Sequence, residues 1–476
     1  MDPRDQRIAE QDRRIAEQQH RIEELEREVN ELKQLVAKLM ERLSRNSRNS
    51  HLPPSSDGPG ARSSSEQKEN REAQRKRGGQ PGHGGHKREM LPAEQVDHVV
   101  DLFPEQCESC WESLPRASDG DPTRYQVTEM PPLRPQTTEY RRHAVTCACG
   151  YTTLAKIDDV PASPFGPRLM SLVALLTGVY HLSRRQAVVL LHDVLGVRLS
   201  LGAASAVEER VSCALEPAVR EAWAKIDGST VKHADATSWL QAGKLRSLWT
   251  IATNVGTVFK ILVDGSIESI RPLFGACFGI LVSDRATVFS FWAMVRRQIC
   301  WAHLLRKFVS FSERDGPGRT FGHELLDYAA LVFRYWQDRR AGVINKATYR
   351  AWMVPVRAQV EDCLARAAAA GIREVSGSCA DILAHKEALW TFVNRDDVEP
   401  TNNHAERELR AFVLWRKRSF GAQSDRGNLF AERVMTVAYT ARKQDKNVLA
   451  FLTACCKAQQ GHATAPSLFA PAVAAA

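Results

Sequence analysis

The sequence lacks a hydrophobic run long enough to cross a membrane. Its longest mostly apolar stretch is Leu169 to Tyr180, whereas a membrane-spanning helix needs about 20 such residues. It also lacks a positively charged start followed by an apolar segment, the pattern of a secretory signal peptide. Without that pattern, the eleven cysteines are expected to be reduced metal ligands and core residues rather than disulfides. We therefore expect a cytoplasmic protein that does not bind membranes.

The composition is that of a folded, basic protein. Its 476 residues are 43% hydrophobic and 25% charged, which suits a chain of several domains of about 100–200 residues each. Lysine and arginine number 65 and acidic residues 56, a net charge of +9. Such a surplus suits a polyanionic partner, although a merely soluble basic protein explains it equally well.

A heptad pattern covers residues 1–43. One seam position repeats every seven residues as Ile8, Ile15, Ile22, Val29, Val36 and Leu43, and the other as Leu25, Leu32 and Leu39. β-Branched residues at one seam and leucine at the other favour a parallel two-stranded coiled coil. The alternative is a single amphipathic helix packed on its own domain. We expect a homodimer or a higher oligomer through this segment.

Residues 44–94 form a polar linker in this interpretation. The stretch 44–90 is rich in Ser, Asn, Gly and Pro and carries ten Lys or Arg against five acidic residues, so it is expected to be disordered. A flexible basic segment can follow a phosphate backbone without reading bases; a solvated linker is the alternative. The candidate DNA contacts here are Arg75, Lys76, Arg77, Lys87 and Arg88.

Two cysteine pairs lie in residues 95–158, where short β-like runs such as Gln95–Val100 and Glu139–Val145 alternate. Cys107 and Cys110 are followed by Cys147 and Cys149 after 36 intervening residues. A pair of thiolates in each of two turns suits tetrahedral zinc. The alternative is four clustered cysteines without metal. We expect a structural Zn²⁺ in a small zinc-ribbon-like domain.

Helical periodicity follows at residues 159–227, and then a pattern of strands. The helical segment is either a helix-turn-helix that docks on DNA or a plain connector. Strand candidates, rich in Val, Ile, Thr and Trp, are Thr230–Ala234, Ser247–Asn254, Val258–Val263 and Gly279–Val282. Ile267–Phe274 is a short helix candidate weakened by Pro272, and residues between His303 and Pro400 are mostly helix formers.

Three acidic residues stand out by their positions. Asp235 and Asp284 each follow an apolar strand candidate, and Glu406 opens a helix. Carboxylates at two strand ends and on a later helix can converge, and paired Mg²⁺ ions held by such oxygens suit phosphoryl transfer on DNA. The alternatives are structural: the aspartates cap the turns that follow them, and Glu406 forms a capping box with Asn403.

The chain resembles the transposases of the IS66 type of bacterial insertion sequence over nearly its whole length. Besides the coiled coil and the cysteines, the stretches that carry the resemblance are Asn46–Asp57, Arg77–His83, Val282–Arg285, Cys300–Leu304, Glu399–Arg407, Trp415–Lys417 and Phe430–Arg433. One departure is Ala236, because the family usually has a glutamate after its first aspartate.

The resemblance implies a DDE transposase with an RNase H-like core. Asp235, Asp284 and Glu406 would be catalytic ligands of Mg²⁺ or Mn²⁺, the last acid being Glu406 rather than Glu399. Candidate phosphate contacts surround Glu406: Arg407, Arg410, Arg416, Lys417 and Arg418. His303 either touches the site or is a core histidine, the second being slightly favoured.

The fold class expected is therefore multidomain α+β. The coiled coil, linker, zinc region and helical segment precede a catalytic α/β domain at residues 228–445, with a helical insertion at about 305–398 and a C-terminal helix and tail at 446–476. The partners implied are the element's DNA ends, target DNA and possible accessory proteins of the same element. The competing functions are an inactive zinc-dependent DNA-binding factor and an RNase H-like nuclease that cuts without joining.

Overall fold

The computed structural model describes residues 14, 18–33, 36, 89–156, 163–461 and 463–469. These residues belong to two compact units. One unit comprises Met1–Ala61, Thr138–His192 and Arg198–Ala476, and the other comprises Arg62–Thr137 and Asp193–Val197. The predicted linker contacts Arg75, Lys76, Arg77, Lys87 and Arg88 lie outside the described residues.

Residues 18–33 are helical, as the heptad predicts. Within this helix the seam residues Ile22, Leu25, Val29 and Leu32 are all exposed on the single chain. The seam residues Ile8, Ile15, Leu39 and Leu43 lie outside the described residues. An isolated helix that exposes its whole apolar seam leaves that hydrophobic surface available to a partner helix.

The residues described in the larger unit include seven strands and a long series of helices, of which one, Arg184–Leu195, ends in the other unit. The strands are β1 Ala144–Thr146, β2 Thr152–Leu154, β3 Val231–Gln241, β4 Lys244–Ala252, β5 Thr257–Leu262, β6 Ile280–Ser283 and β7 Arg297–Ile299. The helices are α1 Pro167–Ala174, α2 Arg184–Leu195, α3 Leu201–Ala214, α4 Glu216–Asp227, α5 Ile267–Ile270, α6 Trp301–Ser312, α7 Pro317–Arg340, α8 Lys346–Ala369, α9 Ser376–Ala384, α10 Thr391–Asn394, α11 Asn403–Ser419, α12 Asp425–Lys443 and α13 Val448–Gln459. Within the described ranges, none of the helices is both long and apolar enough to span a membrane.

The helices before the sheet begin where the sequence predicts. Ser200 caps α3 by accepting a hydrogen bond from the N–H of Ala203. Ser183 and Gln186 form a reciprocal capping box at the start of α2, because each side chain accepts from the other residue's backbone N–H. The predicted strand at Gln95–Val100 is wrong: Ala93–Gln95 form a 3₁₀ turn, and the following five residues make no strand.

The core is a five-stranded mixed sheet in the order β5-β4-β3-β6-β7. Strands β3, β4 and β5 are antiparallel neighbours joined by short turns, whereas β6 and β7 run parallel to β3. Parallel neighbours need crossover connections, and here α5 with its following 3₁₀ turn leads into β6. The carboxyl ends of β6 and β7 therefore lie at the same end of the sheet, and β6 lies directly beside β3.

Helix α12 covers the edge strand β5 by hydrogen bonding to it. Glu432, Thr436 and Thr440 lie one turn apart on α12, and their side chains accept from the backbone N–H groups of Ile261, Phe259 and Thr257 at 2.8, 3.1 and 3.1 Å. Four residues along a helix span about the same distance as two residues along a strand. The outward N–H groups of β5 are thus paired, which protects an edge that otherwise invites aggregation.

Helices α7–α10 lie between α6 and α11, within the stretch of about 305–398 where a helical insertion is expected. They build a continuous hydrophobic core with β6, β7 and α6, in which Trp301, Phe308 and Phe311 are fully buried. Gly322 of α7 packs on the end of α6 so closely that a Cβ there would overlap the backbone nitrogen of Ser312.

We expect Gly322→Ala to lower the stability of the protein by about 2 kcal/mol, because backbone atoms cannot rotate away as a flexible side chain can. At Gly377, near the start of α9, an added Cβ would meet nothing within 4 Å, so Gly377→Ala should be neutral or stabilise by about 0.5 kcal/mol. Thermal unfolding of both variants measures the difference. Equal midpoints would contradict the close packing of α6 on α7.

Candidate active site

Asp235 lies inside β3, five residues from its start, and not after the strand as the sequence pattern predicted. The strand continues to Gln241, paired with β4 throughout this stretch. Because side chains alternate along a strand, Asp235 shares a face with His233 and Trp239. Both contact α11: the His233 ring lies 5.0 Å from that of His404, and the Trp239 ring lies 5.5 Å from that of Phe412. Asp235 therefore faces the helix that carries Glu406.

Asp284 directly follows β6, as predicted, at the carboxyl end of the strand. Its Oδ1 accepts a hydrogen bond from the Ala286 N–H at 3.0 Å, so the capping alternative accounts for one of its oxygens. Buried Arg297 on β7 donates to the Asp284 carbonyl at 3.0 Å and to the Ser283 hydroxyl at 3.2 Å. The backbone around Asp284 is thereby fixed by the neighbouring strand.

Glu406 lies in the first turn of α11 and does not form the capping box. The N-cap of α11 is Asn402, which makes no side-chain cap. Glu406 Oε1 instead accepts hydrogen bonds from His303 Nε2 at 3.1 Å and from Arg306 Nη2 at 3.2 Å, both on α6. His303 therefore touches the acidic residue directly, and its interpretation as a satisfied core histidine is wrong.

The three acids influence one another electrostatically. Burial of the Asp235 carboxyl group and the negative charges of Asp284 and Glu406 raise the pKa of Asp235 to about 7. The residue keeps some solvent exposure, but its carboxyl group is enclosed by protein. The hydrogen bond from His303, with the charge of Arg306, lowers the pKa of Glu406. A carboxyl group whose pKa lies near neutrality, beside two other carboxyl groups, indicates a site with excess negative charge.

Cys300, His303 and Glu406 form a compact group whose potential ligand atoms all lie within 4.8 Å of one another. Cys300 is fully buried, and its Sγ accepts the Asn402 N–H at 3.1 Å. Burial raises the pKa of the Cys300 thiol to about 11, so it is a neutral acceptor rather than a thiolate. In the part of the chain that the structure describes, neither Asp235 nor Asp284 belongs to so tight a group.

A buried polar cluster fixes α11 against the sheet next to Asp235. Lys443 of α12 donates to the Thr253 carbonyl at 2.8 Å and lies 3.0 Å from the Glu408 carboxylate and 2.9 Å from His404 Nε2. Burial beside His404 lowers the pKa of His233 to about 3. His233 is therefore neutral at physiological pH.

The basic residues of α11 divide into two groups. Arg407, Arg410 and Lys417 are exposed and lie on one face, because they are separated by three and seven residues; we call them the α11 ridge. Arg418 beside them is also exposed. Arg416 is different, since its guanidinium group donates to the Ser238 backbone and side chain and to Thr237 on β3. Arg416 anchors α11 to the sheet.

The two predicted zinc pairs lie in different units, Cys107 and Cys110 in one and Cys147 and Cys149 in the other. Each pair occupies a tight turn: the Trp111 N–H donates to the Cys107 carbonyl, and the Gly150 N–H to the Cys147 carbonyl. In each turn, backbone N–H groups point at the sulfur of the first cysteine, and the N–H of the second cysteine has the largest effect. These hydrogen bonds lower the pKa of Cys107 and Cys147. Both turns therefore favour thiolates.

The fold places Asp235 on β3, Asp284 directly after the neighbouring strand β6, and Glu406 on the helix that Asp235 faces. The family model of the Transposase IS66 family matches residues 162–429, more than half of the chain and a span that includes all three acids. The chain belongs to this family, as the sequence motifs indicate. Residues 2–89 match a second model, a family of unknown function (DUF6444). A search of curated proteins found no match.

Arg306 and Asn402 were not expected at the site from the sequence, and His303 was expected to be a core histidine. A signal for Arg306 and His303 was present in the sequence. Cys300, His303 and Arg306 recur every three residues from the start of α6, which places them on one helix face. Which residues this helix face contacts is decided by tertiary packing. Asn402 donates through Nδ2 to the Ala234 carbonyl at 2.8 Å. No local pattern in the sequence encodes that contact.

Proposed function

We propose that this protein is a DNA transposase that cleaves and joins strands at the ends of an insertion sequence. The proposal is supported by the family match over residues 162–429 and by the positions of Asp235 and Asp284 on neighbouring strands, where burial and the charges of Asp284 and Glu406 raise the pKa of Asp235. Three acids brought together from positions far apart in the chain form an anionic site that a divalent cation would neutralise. The strand order and directions described above are those expected of an RNase H-like core.

The residues present fit a site for Mg²⁺ or Mn²⁺. Their donors are carboxylate oxygens, which these hard cations prefer. When bound, the ions would activate water and stabilise charge on phosphate oxygens. Ala236 does not weaken this fit, because successive side chains alternate along β3 and position 236 faces away from Asp235.

In this proposal the reaction has two steps. Water attacks a phosphodiester at the element's end and releases a strand with a 3′-hydroxyl. That hydroxyl then attacks a target phosphodiester in line, forming the new bond as the target's own 3′-oxygen leaves. Asp235, Asp284 and Glu406 would hold the ions, and the α11 ridge would hold neighbouring phosphates. The protein itself forms no covalent intermediate.

The direct test is strand cleavage and joining on DNA that carries the inverted repeats flanking the gene. We expect products with new 3′-hydroxyl ends and then joined strands, both dependent on Mg²⁺ or Mn²⁺. Specific binding without nicking would favour the DNA-binding factor. Nicked products that are never joined would favour the nuclease.

The α11 ridge provides a prediction about DNA binding. We expect Arg407→Ala combined with Arg410→Ala to weaken binding to all DNA sequences alike and to reduce the salt dependence of log Kd by about 1–2, since each lost phosphate contact removes about 0.9. Arg357→Ala, an exposed arginine of the insertion paired with Glu361 at 2.8 Å, is the control. A salt slope equal to that of the wild type in the ridge variant would contradict phosphate contact here.

We propose that each of the two cysteine turns supplies thiolate ligands to structural zinc, supported by the lowered pKa of its first cysteine. We expect Cys107→Ser combined with Cys110→Ser to lose bound zinc as measured by elemental analysis. Cys213→Ser removes an exposed cysteine outside the pairs and should retain the metal. An unchanged zinc content in the double variant would refute the assignment.

The exposed seam of the helix at residues 18–33 supports a coiled-coil homodimer. Two element ends must be held together during transposition, and a dimer supplies two catalytic domains in one particle. The proposed localisation is the bacterial cytoplasm, on the nucleoid when DNA is bound, with accessory proteins of the element as further partners.

A further inference from the structure

Three side chains on one face of α6 reach the start of α11. Cys300 precedes the helix and accepts the Asn402 N–H at 3.1 Å, and the Trp301 N–H donates to the Pro400 carbonyl at 2.9 Å. One turn further, His303 and Arg306 bond to Glu406 at 3.1 and 3.2 Å. About a hundred residues of helical insertion separate the two segments in the chain, so these contacts fix Glu406 relative to the sheet.

Both donors bind the same carboxylate oxygen. His303 Nε2 and Arg306 Nη2 each donate to Oε1 of Glu406. The side chains of His303 and Arg306 are only 13% and 20% exposed, which strengthens these bonds relative to solvent-exposed ones. With Oε1 held from α6, the orientation of Oε2 is fixed as well.

We propose that His303 and Arg306 are positioning residues that orient Glu406 for divalent metal binding, with Cys300 fixing the helix start through Asn402. This inference rests on the proposed function, in which Glu406 is a metal ligand. Residues that orient a ligand commonly change metal affinity by 10–100-fold when removed. His303 and Arg306 act through Glu406 and do not themselves contact the ions.

The test measures Mn²⁺ affinity of the full chain without DNA, by electron paramagnetic resonance of the free ion. We expect His303→Ala to weaken Mn²⁺ binding about tenfold. His303→Gln should restore most of the affinity, because its amide nitrogen can donate as Nε2 does. His323→Ala removes an exposed histidine of α7 and should leave the affinity unchanged.

A double-mutant cycle separates positioning from general damage to the fold. In a Glu406→Gln background, His303→Ala should have no further effect on Mn²⁺ affinity, because the group it orients is gone. An additive loss in that background, or wild-type affinity in His303→Ala, would overturn the inference while leaving the metal site standing. Wild-type affinity in Glu406→Gln itself would instead overturn the proposed metal site.

Discussion

Replacing Glu406 by glutamine is expected to lower the rate of DNA strand cleavage by about a thousandfold or more. The substitution keeps the size of the side chain but removes a charged metal ligand, and a metal's contribution to the transition state is several kcal/mol. At 1.36 kcal/mol per factor of ten, a loss of about 4 kcal/mol gives three orders of magnitude. The measurement is the single-turnover rate of nicking with saturating Mg²⁺ on DNA carrying the element's end.

The same motif supplies the matched control. Glu399 is the other acid of the Glu399–Arg407 stretch, but its side chain lies 3.6 Å from Arg340 and is 40% exposed. Glu399→Gln should therefore cleave DNA at nearly the wild-type rate. If Glu399→Gln abolished cleavage and Glu406→Gln did not, the last acid of the triad would have been assigned to the wrong residue.

Asp235→Asn is expected to have opposite effects on activity and stability. Cleavage should be lost, while the metal-free protein at pH 8 should become more stable, by up to about 4 kcal/mol. The reason is that the folded protein must ionise Asp235 against its burial and against Asp284 and Glu406, which raise its pKa from 3.8 to about 7. Asparagine carries no such charge. Denaturant unfolding in the presence of a chelator measures the change.

The pH dependence of stability follows from the same shift. The folded state holds the Asp235 proton more tightly than the unfolded state, so its stabilising contribution is full below about pH 4. That contribution is lost progressively as the pH rises to about 7. In Asp235→Asn this loss should be absent. A wild-type protein whose metal-free stability does not fall more steeply over this range than that of the variant would contradict the crowding of carboxylates.

Asp264 offers a control of opposite sign. Hydrogen bonds from Ser269 and Ser266 lower the pKa of the Asp264 carboxyl group to about 2. Its stabilising contribution is present above the unfolded-state pKa and is lost only as the pH falls towards 2. Asp264→Asn should therefore reduce stability at pH 8, in contrast to Asp235→Asn.

Only the first part of β3 was predicted from the sequence, whereas β4 and β5 were largely predictable because they carry apolar, β-branched and aromatic residues. Strand β7 was not, since it has only three residues and includes a fully buried arginine, Arg297, which bonds to the loop after β6. The end of β3 was placed too early for a related reason. The carboxylate at position 235 suggested that the strand ends before it. The strand continues to Gln241 because it pairs with β4.

The candidate site was predictable as a set of residues but not as a geometry. Asp235, Asp284 and Glu406 could be selected from their local contexts and from the family motifs. Both the shared acceptor Oε1 and the role of His303 depend on how α6 packs against α11. This packing depends in turn on the inserted helices. Periodicity within α6 shows which residues share a face, but not what the face contacts.

The most direct measurement is a crystal structure of the protein grown with Mn²⁺, with the ions located by their anomalous scattering. We expect anomalous peaks at coordination distance from Asp235, Asp284 and Glu406 together. Mn²⁺ bound elsewhere, with these three carboxylates left without a metal, would contradict the claim that they form one catalytic site.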